Sequence, residues 1–373
     1  MKEKKVLFAA TTAKGHLNVF HIPYMKWFQQ KGWQVHVICN GDEKVPFADK
    51  QYTVSIQRSP FTIKNIKALK HMIEIMKKEQ YDLITCHTPM GGVLTRIAAK
   101  KAGLSSVIYT AHGFHFYKGA PFKNNLLYKT IEKYLAHVTD ALVTMNREDY
   151  EAAQKFRLRE GGSVYYIPGI GIDIESIQKV SACKEEKRKE LGIEENALIV
   201  TAIGELIPRK NFDTALRAFS KIKSEPAVLL LCGRGQEEKN LKKLAKQLQI
   251  EKKVVFAGFR KDMKEIEKIS DIFFFPSHQE GLSVAMMESM ASGLPVVCSK
   301  IRGNVDLIAE GKGGYLKEDN DIDGFAQALE ILLKDARLRK QMGEFNKKEA
   351  QKYSLETVMS QMEEIYKKVC KKF

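Results

Sequence analysis

The sequence of 373 residues lacks several features that would assign a class at once. No apolar run approaches the roughly 20 residues that a membrane-spanning helix needs, and the apolar start is too short for a secretion signal. The six cysteines contain no CxxC pair, so neither a disulfide framework nor a cysteine zinc site is expected. Short repeats and low-complexity segments are missing too. These absences predict a cytoplasmic globular protein with reduced, mostly buried thiols.

Acidic residues are also in short supply. The chain has 61 lysines and arginines against 45 aspartates and glutamates, which gives a formal net charge of +16. Residues 1–173 hold 25 basic against 14 acidic residues, a surplus of 11, and the remainder holds 36 against 31, a surplus of 5. Such a basic first half favours phosphate-bearing partners or an anionic membrane surface.

Short β-branched runs alternate with helical patterns along most of the chain, which is typical of βαβ units on a parallel sheet. The alternation pauses in the turn-rich stretch SVYYIPGIGID and the charged stretch CKEEKRKELG, then restarts at ALIVTAIGEL. The sequence therefore predicts two doubly wound, Rossmann-like α/β domains that face a cleft. We expect them at residues 1–172 and 173–353, with a C-terminal helix at residues 354–373 returning to the first domain.

Two carboxylates, Glu280 and Glu288, stand in the otherwise uncharged segment HQEGLSVAMMESMASG. After the apolar strand DIFFFPS a helix is expected, which Ser283 caps and which ends at Gly293, before Pro295. The start of this helix offers an anion site formed by the N–H groups of Gly281, Leu282 and Ser283. Glu288 lies about 7.5 Å further along, at about 1.5 Å per residue, where it could accept ribose hydroxyls. Glu280 could hold a sugar. Alternatively, Glu280 interacts with the dipole at the first turn of the helix, and Glu288 is a surface residue that pairs with a lysine.

The chain resembles the retaining family-4 glycosyltransferases of the GT-B fold, close to the capsular and exopolysaccharide subgroup of EpsD/CapM type. The resemblance covers nearly the whole chain. It is carried by FHIPYMKWFQQKGWQVHVICNG, CHTPMGGVLTRIAAKKAG, YTAHGFHFYKGAP, IPGIGID, GELIPRKN, FAGFRKD, SHQEGLSVAMMESMASGLPVV and IRGNVDLI. It implies that the N-terminal domain binds the acceptor and the C-terminal domain binds the nucleotide-sugar donor.

The resemblance also implies roles for single residues. His112 matches a histidine beside the transferred sugar, Lys210 matches the lysine that neutralises the leaving diphosphate, and Glu280 matches the contact to the donor sugar. These three form the expected catalytic set, and Glu288 would bind the ribose diol. The remaining expected donor contacts are Gly15, Arg209, Gly258, Phe259, Arg260, Gly281, Leu282 and Ser283.

Two positions depart from the family pattern. The position of a second family cation is Glu205 here, so Arg209 or Arg302 would have to supply the missing charge. The usual glycine pair of the first turn is reduced to the single Gly15.

We expect neither metal nor cofactor. In the family the leaving diphosphate accepts the acceptor's proton during same-face attack, so cations and a helix N-terminus suffice to stabilise the developing charge. Two metal signals compete with this expectation. Residues 319–330 fit a calcium-loop pattern but follow a strand-like run, so Asp323 is expected to cap a helix instead. His112 and His115 in HGFH have no carboxylate or thiolate nearby in sequence.

The acceptor is expected to be lipid-linked. The segment PFTIKNIKALKHMIEIMKKE places Ile63, Ile66, Leu69, Ile73 and Met76 on one helical stripe, which fits either packing on the sheet or contact with an anionic membrane. The basic residues expected at the acceptor or the membrane are Lys64, Lys67, Lys70, Lys118 and Lys123. We expect a polyprenyl-diphosphate-linked saccharide at the cytoplasmic face of the plasma membrane, where the protein would be peripheral.

The sequence thus predicts transfer of a hexose or an N-acetylhexosamine from a UDP-sugar in capsule or exopolysaccharide biosynthesis. A UDP-sugar 2-epimerase remains an alternative, because it shares two similar domains and a nucleotide cleft but converts the sugar without an acceptor. A basic nucleic-acid-binding protein would use the same positive charge. It would explain neither glutamate, so no nucleic-acid partner is expected.

Overall fold

A computed structural model describes residues 3–224, 226–370 and 373. The chain divides into two compact units, Met1–Ile170 with Val358–Phe373, and Gly171–Thr357. Each unit is a parallel sheet covered by helices, which confirms the predicted α/β class. All six cysteines are free thiols, and five of them are buried.

Most strands alternate with helices in chain order, although β3 follows β2 without a helix between them. The strands are β1 (Lys5–Thr12), β2 (Gln34–Asn40), β3 (Lys50–Thr53), β4 (Leu83–His87), β5 (Val107–Ala111), β6 (Ala141–Thr144), β7 (Ser163–Tyr166), β8 (Leu198–Ile203), β9 (Ala227–Cys232), β10 (Val254–Gly258), β11 (Ile272–Phe275), β12 (Val296–Ser299) and β13 (Gly314–Lys317). The helices are α1 (Asn18–Phe20), α2 (Ile22–Gln30), α3 (Ile63–Glu79), α4 (Pro89–Ala102), α5 (Phe122–Ala136), α6 (Arg147–Ala153), α7 (Ile174–Lys179), α8 (Lys184–Leu191), α9 (Phe212–Phe219), α10 (Glu238–Gln247), α11 (Met263–Ile269), α12 (Val284–Ser292), α13 (Asn304–Leu307), α14 (Ile322–Lys334), α15 (Ala336–Ala350) and α16 (Leu355–Val369).

The described part of the first unit forms a seven-stranded parallel sheet in the order β3-β2-β1-β4-β5-β6-β7. Strand β1 is apolar along its whole middle because helices cover both faces of the sheet. The order reverses between β1 and β4, and connections leaving two such strands diverge to opposite faces. In open sheets the crevice left at their carboxyl ends is where ligands bind.

The C-terminal helix α16 belongs to the first unit. Its residues Val358, Met362, Ile365 and Tyr366 recur at helical spacing and are buried in one cluster with Phe28 of α2. This apolar face attaches the end of the chain to the sheet formed by its beginning.

The second unit repeats the plan with a sheet in the order β10-β9-β8-β11-β12-β13. The order reverses between β8 and β11, so a second crevice is expected at that edge. Successive phenylalanines of β11 point to opposite faces, as strand geometry requires. Phe274 lies in one core cluster, whereas Phe273 and Phe275 lie in the other.

Some local predictions were wrong. The edge strands β3 and β7 were missed, because both are short and only partly buried and so lack an apolar run. The cap of α14 is Asp321, whose Oδ1 accepts the N–H of Gly324 at 2.8 Å. Asp323 instead pairs with Lys221 at 2.6 Å.

A buried ion pair joins α4 to α5. Arg96 is 0% exposed, and its Nη2 lies 2.9 Å from Oε2 of Glu132. Its Nε donates to the carbonyl of Gly92 at 3.0 Å, and the guanidinium lies 3.9 Å from the ring centroid of Tyr109. The pair therefore holds both helices against β5.

We predict that Glu132→Ala lowers the free energy of unfolding by about 3–5 kcal/mol, because it leaves a buried guanidinium without its counter-charge. Denaturant unfolding would measure the change. Glu151→Ala, at an exposed site on α6, is the matched control and should stay within about 0.5 kcal/mol of the parent. Equal small losses in both variants would contradict the prediction.

Candidate functional site

Three residues expected at the donor come together where the second sheet reverses. Lys210 ends the short 3₁₀ turn Pro208–Lys210 after β8, and Glu280 lies on the loop after β11. Nζ of Lys210 is 2.7 Å and Nη1 of Arg209 is 3.3 Å from Oε1 of Glu280, which is 9% exposed. The lysine also lies 4.7 Å from the ring centroid of Phe275. A largely buried lysine and carboxylate thus meet an arginine whose side chain is 43% exposed.

A third cation lies against the same loop. Nε of Arg302, after β12, donates to the carbonyl of Glu280 at 3.2 Å. The next residue, Gly303, has φ of 81°, and a Cβ there would meet the carbonyl oxygen of Gly281 at 2.1 Å, so glycine is required. Both arginines proposed to replace the cation missing at Glu205 therefore lie beside Glu280.

Asn211 fastens the Lys210 turn to this edge. It is buried with φ of 57°, and its Nδ2 donates to the carbonyl of Pro276 at 2.9 Å and of Asp319 at 2.8 Å. Two long-range bonds from one amide fix the turn and thereby the position of Lys210. The sequence prediction did not single out Asn211.

Helix α12 begins and ends as predicted. Oγ of Ser283 accepts the N–H of Met286 at 3.3 Å, and Gly293 ends the helix with φ of 85°. Leu282 is half-buried just before the cap. The cap prediction is confirmed, while anion binding by the N–H groups of Gly281, Leu282 and Ser283 stays a prediction.

Glu288 lies further along α12, beside a second carboxylate that the sequence prediction missed. Glu267 of α11 is 2% exposed and accepts hydrogen bonds from Oγ of Ser289 at 2.8 Å and of Ser292 at 2.7 Å. Burial and the neighbouring charge of Glu288 raise the pKa of Glu267 to about 8. Burial also raises the pKa of Glu288, whereas Lys264 opposes that rise.

A separate pocket of about 480 Å³ lies at the ends of β8, β9 and β10. Phe259 and Arg260, two of the expected donor contacts, line it. Phe259 is 63% exposed there, and Gly258 before it has φ of 67°. Arg260 forms ion pairs with Glu190 and Asp262. The pocket also contains Glu205 and Arg234. It offers an aromatic face, a cation and backbone polar groups to a ligand.

In the first unit Gly15 lies in a π-helical turn, Ala13–Leu17, directly after β1. It lines a cavity of about 340 Å³ together with Arg58, Thr88 and His115. A Cβ at Gly15 would lie 3.4 Å from Oγ1 of Thr12, an ordinary contact. Packing against the described residues therefore does not require glycine here. Because Gly15 lines the cavity, close approach of a ligand would be the reason for a glycine at this position.

Thr88 is held in a conformation that β-branched residues rarely adopt. Its φ is 62°, and its Oγ1 accepts the N–H of Thr11 at 3.0 Å. It directly follows β4 and faces the cavity at the switch point of the first sheet. Backbone strain of this kind is concentrated at functional sites.

His112 lies among three other histidines. One ring nitrogen from each of His16, His21, His87 and His112 falls within 4.8 Å of the others. Burial lowers the pKa of His16 to about 4 and holds the pKa values of the other three well below the usual range. His115, which the HGFH motif offered as a second metal ligand beside His112, is exposed and lies outside this cluster.

The basic amphipathic segment α3 is only half packed. Its C-terminal part buries Met72 and Met76, whereas Ile63 is 74% and Ile66 is 57% exposed, so the proposed stripe does not pack on the sheet along its whole length. The exposed end forms one wall of an apolar groove of about 440 Å³, and the start of α4 and residues of α5 form the rest. The lysines expected at this surface are exposed: Lys64, Lys67, Lys70, Lys118 and Lys123. Among the described residues, no helix is both long and apolar enough to cross a bilayer.

Comparison with known families matches both units. Residues 5–146 match the family described as Glycosyl transferase 4-like, and residues 183–349 match Glycosyl transferases group 1. The glycosyltransferase EpsD of Bacillus subtilis (strain 168) is 37% identical over 368 residues, which are 97% of this chain and 96% of EpsD. The chain belongs to the family-4 glycosyltransferases.

Two further similarities extend over most of the glycosyltransferase. The Escherichia coli UDP-Gal:alpha-D-GlcNAc-diphosphoundecaprenol alpha-1,3-galactosyltransferase is 33% identical over 283 residues, 74% of this chain and 73% of that enzyme. The crystal structure of Anabaena HepE in complex with UDP superimposes with a TM-score of 0.82 at 19% identity and covers 98% of this chain and 100% of HepE. These similarities confirm the predicted GT-B fold.

The glycosyltransferase contains site residues that motif analysis passed over: His16, His21, His87, Arg234 and Glu267. No signal in the sequence groups the three histidines, because they follow or end β1 and β4, and only the sheet shows that these two strands are neighbours. Glu267 has no signal either, since a glutamate in the charged helix MKEIEKI looks like an ordinary surface residue.

We predict that Glu267→Gln flattens the pH dependence of the glycosyltransferase's stability. Glu267 keeps its proton in the folded chain up to about pH 8 and loses it above about 4.5 when unfolded. The free energy of unfolding therefore falls as pH rises through this window, by on the order of 2–4 kcal/mol. Urea unfolding between pH 5 and 8 would measure the slope.

Glu330→Gln is the control for this prediction. Burial raises the pKa of Glu330, but hydrogen bonds from Lys334, Ser224 and the Lys223 N–H outweigh burial and lower this pKa to about 2. The contribution of Glu330 to the free energy of unfolding is therefore lost only below about pH 4.5. The slope between pH 5 and 8 should match the parent in this variant. A parent slope that survives in Glu267→Gln would show that the carboxyl ionises normally.

Proposed function

We propose that the protein transfers a hexose or an N-acetylhexosamine from a UDP-sugar, with retention of configuration, to a polyprenyl-diphosphate-linked saccharide in capsule or exopolysaccharide biosynthesis. The observation that carries the proposal is the cluster of Lys210, Arg209 and Arg302 around Glu280 at the β8/β11 switch point. Several cations beside one carboxylate suit a ligand that carries both a phosphate and hydroxyl groups.

The diphosphate would bind to the cations and to the start of α12. Lys210 and Arg209 already converge on one oxygen of Glu280, so they are preorganised around a negative charge. The N-terminus of α12, which follows Gly281, adds N–H groups and a partial positive charge. Glu280 would then accept hydroxyls of the donor sugar.

The nucleoside would extend along α12 and into the pocket at Phe259. Glu288 would accept the two ribose hydroxyls. Burial raises the pKa of this carboxyl, and Lys264 opposes the rise. The uracil would lie against Phe259 and the backbone of Gly258. UDP is favoured because the E. coli relative is named for UDP-Gal and HepE was crystallised with UDP.

The transfer itself would be electrostatically assisted. The bond from the anomeric carbon to the diphosphate oxygen breaks, its electron pair stays on the diphosphate, and the acceptor oxygen bonds to the same face of that carbon. The acceptor's proton passes to the leaving diphosphate. Lys210 and the arginines stabilise the growing negative charge, His112 would contact the transferred sugar, and Gly15 would let the first turn approach the donor.

The acceptor would be held by the first unit. The apolar groove beside Ile63 and Ile66 suits a polyprenyl chain, and the exposed lysines around it suit the diphosphate or anionic lipids. Exposed apolar side chains on α5, among them Phe122 at 79% and Leu126 at 60%, continue this surface. The E. coli relative acts on a diphosphoundecaprenol-linked sugar by name. Peripheral attachment to the inner face of the plasma membrane follows from this acceptor.

We predict that calorimetry shows binding of UDP and of a UDP-sugar with or without EDTA, and weaker binding of GDP-mannose. Glu288→Ala should weaken UDP binding by about tenfold to a hundredfold, because it removes charge-assisted hydrogen bonds of about 1.5–3 kcal/mol. Lys210→Ala should lower kcat by about 10²–10³.

Lys221→Ala is the matched control, because its ammonium is bound to Asp323 in the same unit at 2.6 Å but away from the cluster. It should bind and turn over like the parent. Binding of none of the nucleotides, or equal binding by Glu288→Ala, would reject the donor site. Sugar conversion without acceptor would instead indicate an epimerase, and salt-sensitive RNA binding alone would indicate a nucleic-acid-binding protein.

We predict that replacing Lys64, Lys67, Lys70, Lys118 and Lys123 by glutamine reduces co-sedimentation with anionic vesicles at least tenfold, since each basic residue near the surface contributes about 1 kcal/mol. Neither the parent nor the variant should co-sediment with vesicles of neutral lipid. The control removes five exposed lysines of the second unit: Lys239, Lys242, Lys243, Lys246 and Lys252. An equal loss in both variants would mean that only net charge matters.

A further inference from the structure

Four histidines converge from three separate connections of the first unit. His16 and His21 follow β1, His87 ends β4, and His112 follows β5. These strands are neighbours in the sheet, so their carboxyl ends bring the four rings to one place at the switch point. Three of the four side chains are buried and His112 is half-buried.

The spacing of the rings is that of a ligand set. Nε2 of His16 and Nε2 of His21 are 3.2 Å apart, and Nε2 of His112 lies 3.5 Å from Nδ1 of His87. Four imidazoles at the corners of a tetrahedron, with metal–nitrogen bonds of about 2.0–2.1 Å, have neighbouring nitrogens about 3.4 Å apart and ring centroids about 5 Å apart. Five of the six centroid separations are 4.5–5.8 Å.

The sixth separation, between His21 and His87, is 3.8 Å. These two rings are closer than a shared ion allows, so one of them must move outward by about 1 Å when an ion enters. His87 is the ring with a reason to move, because its buried Nε2 finds no hydrogen-bond partner among the residues that the structure describes. A buried nitrogen without a partner is costly, so hydrogen bonding at Nε2 does not hold the His87 ring in its present position, and Nδ1 stays the nitrogen that faces His112.

The chemistry of the pocket fits a metal that prefers nitrogen. The pocket walls are aromatic: Phe8 stacks on His87 at 6.3 Å, and Phe20 lies 5.3 Å from His16 and 6.0 Å from His112. A neutral imidazole is the form of histidine that binds metal. Imidazole ligands without carboxylate or thiolate suit zinc, copper or nickel and exclude magnesium and calcium.

We propose that His16, His21, His87 and His112 form a four-coordinate site for a divalent transition metal ion of the zinc class. The ion would tie the connections after β1, β4 and β5 together at the carboxyl edge of the sheet. A closed site of four protein ligands is structural, so it takes no part in bond breaking. It would fix the ring of His112 and leave the second nitrogen of that ring free. The inference does not depend on the donor or the acceptor.

The test is metal binding by the full-length chain after removal of metal with a chelator. We expect one equivalent of Zn²⁺ in competition with a chromophoric chelator, and an intense visible spectrum of tetrahedral Co²⁺ when cobalt replaces zinc. His21→Asn and His87→Gln should each weaken zinc binding at least about tenfold, the smaller end of the loss known for outer-shell partners. Zinc should raise the Tm of the parent and not of these variants.

His36→Gln is the matched control, because His36 is a buried histidine of the same unit whose ring nitrogen meets Tyr81 Oη at 3.2 Å, outside the cluster. It should bind zinc like the parent. If His21→Asn and His87→Gln fail to fold, the Co²⁺ spectrum of the parent decides. A weak octahedral spectrum, less than one equivalent bound, or equal binding by all folded variants would overturn the site.

Discussion

The structure depends on one constraint, the reversal of strand order beside the first strand of each parallel sheet. Helical connections leave neighbouring strands toward opposite faces at this point, so a crevice opens at the carboxyl edge. At the β8/β11 reversal the loops carry Lys210 and Glu280, and at the β1/β4 reversal they carry His16 and His87. Chemistry-bearing side chains far apart in sequence therefore meet because of topology alone.

How much the sequence could predict follows from this constraint. Alternating patterns predict the strands and the end of α12 at Gly293, because period and capping are local properties. The family motif led to Lys210 and Glu280, and the structure brings these two together. The convergence of the four histidines could not be predicted from the sequence, because the prediction would require the adjacency of β1, β4 and β5 in the sheet. The four are His16, His21, His87 and His112. The raised pKa of Glu267 likewise arises from burial between two helices and from a neighbour on the other helix.

The exposed end of α3 shows a different limit. Its apolar stripe has helical period throughout, yet Met76 is buried while Ile63 lies in solvent. Periodicity identifies an apolar face but not what covers it. The first turns of the helix already bury Asn65 and Ala68, so Ile63 and Ile66 lie on another side of the helix and line a groove instead of the core. This uncovered apolar turn beside exposed lysines is the physical basis for proposing a lipid-linked acceptor.

The ion pairs around Glu280 limit which ligands can bind there. A buried carboxylate and ammonium are costly if either loses its partner, so they must stay paired before and after a ligand binds. The proposed donor satisfies this condition, because its diphosphate can replace the carboxylate at Lys210 and Arg209 while its sugar hydroxyls replace the cations at Glu280. A simple phosphate would release Glu280 without a new partner, and a neutral sugar would leave Lys210 in the same state. Since Asn211 holds the lysine turn in place throughout, the exchange needs only side-chain motion. The pairing therefore favours a ligand with both groups over a ligand with either one.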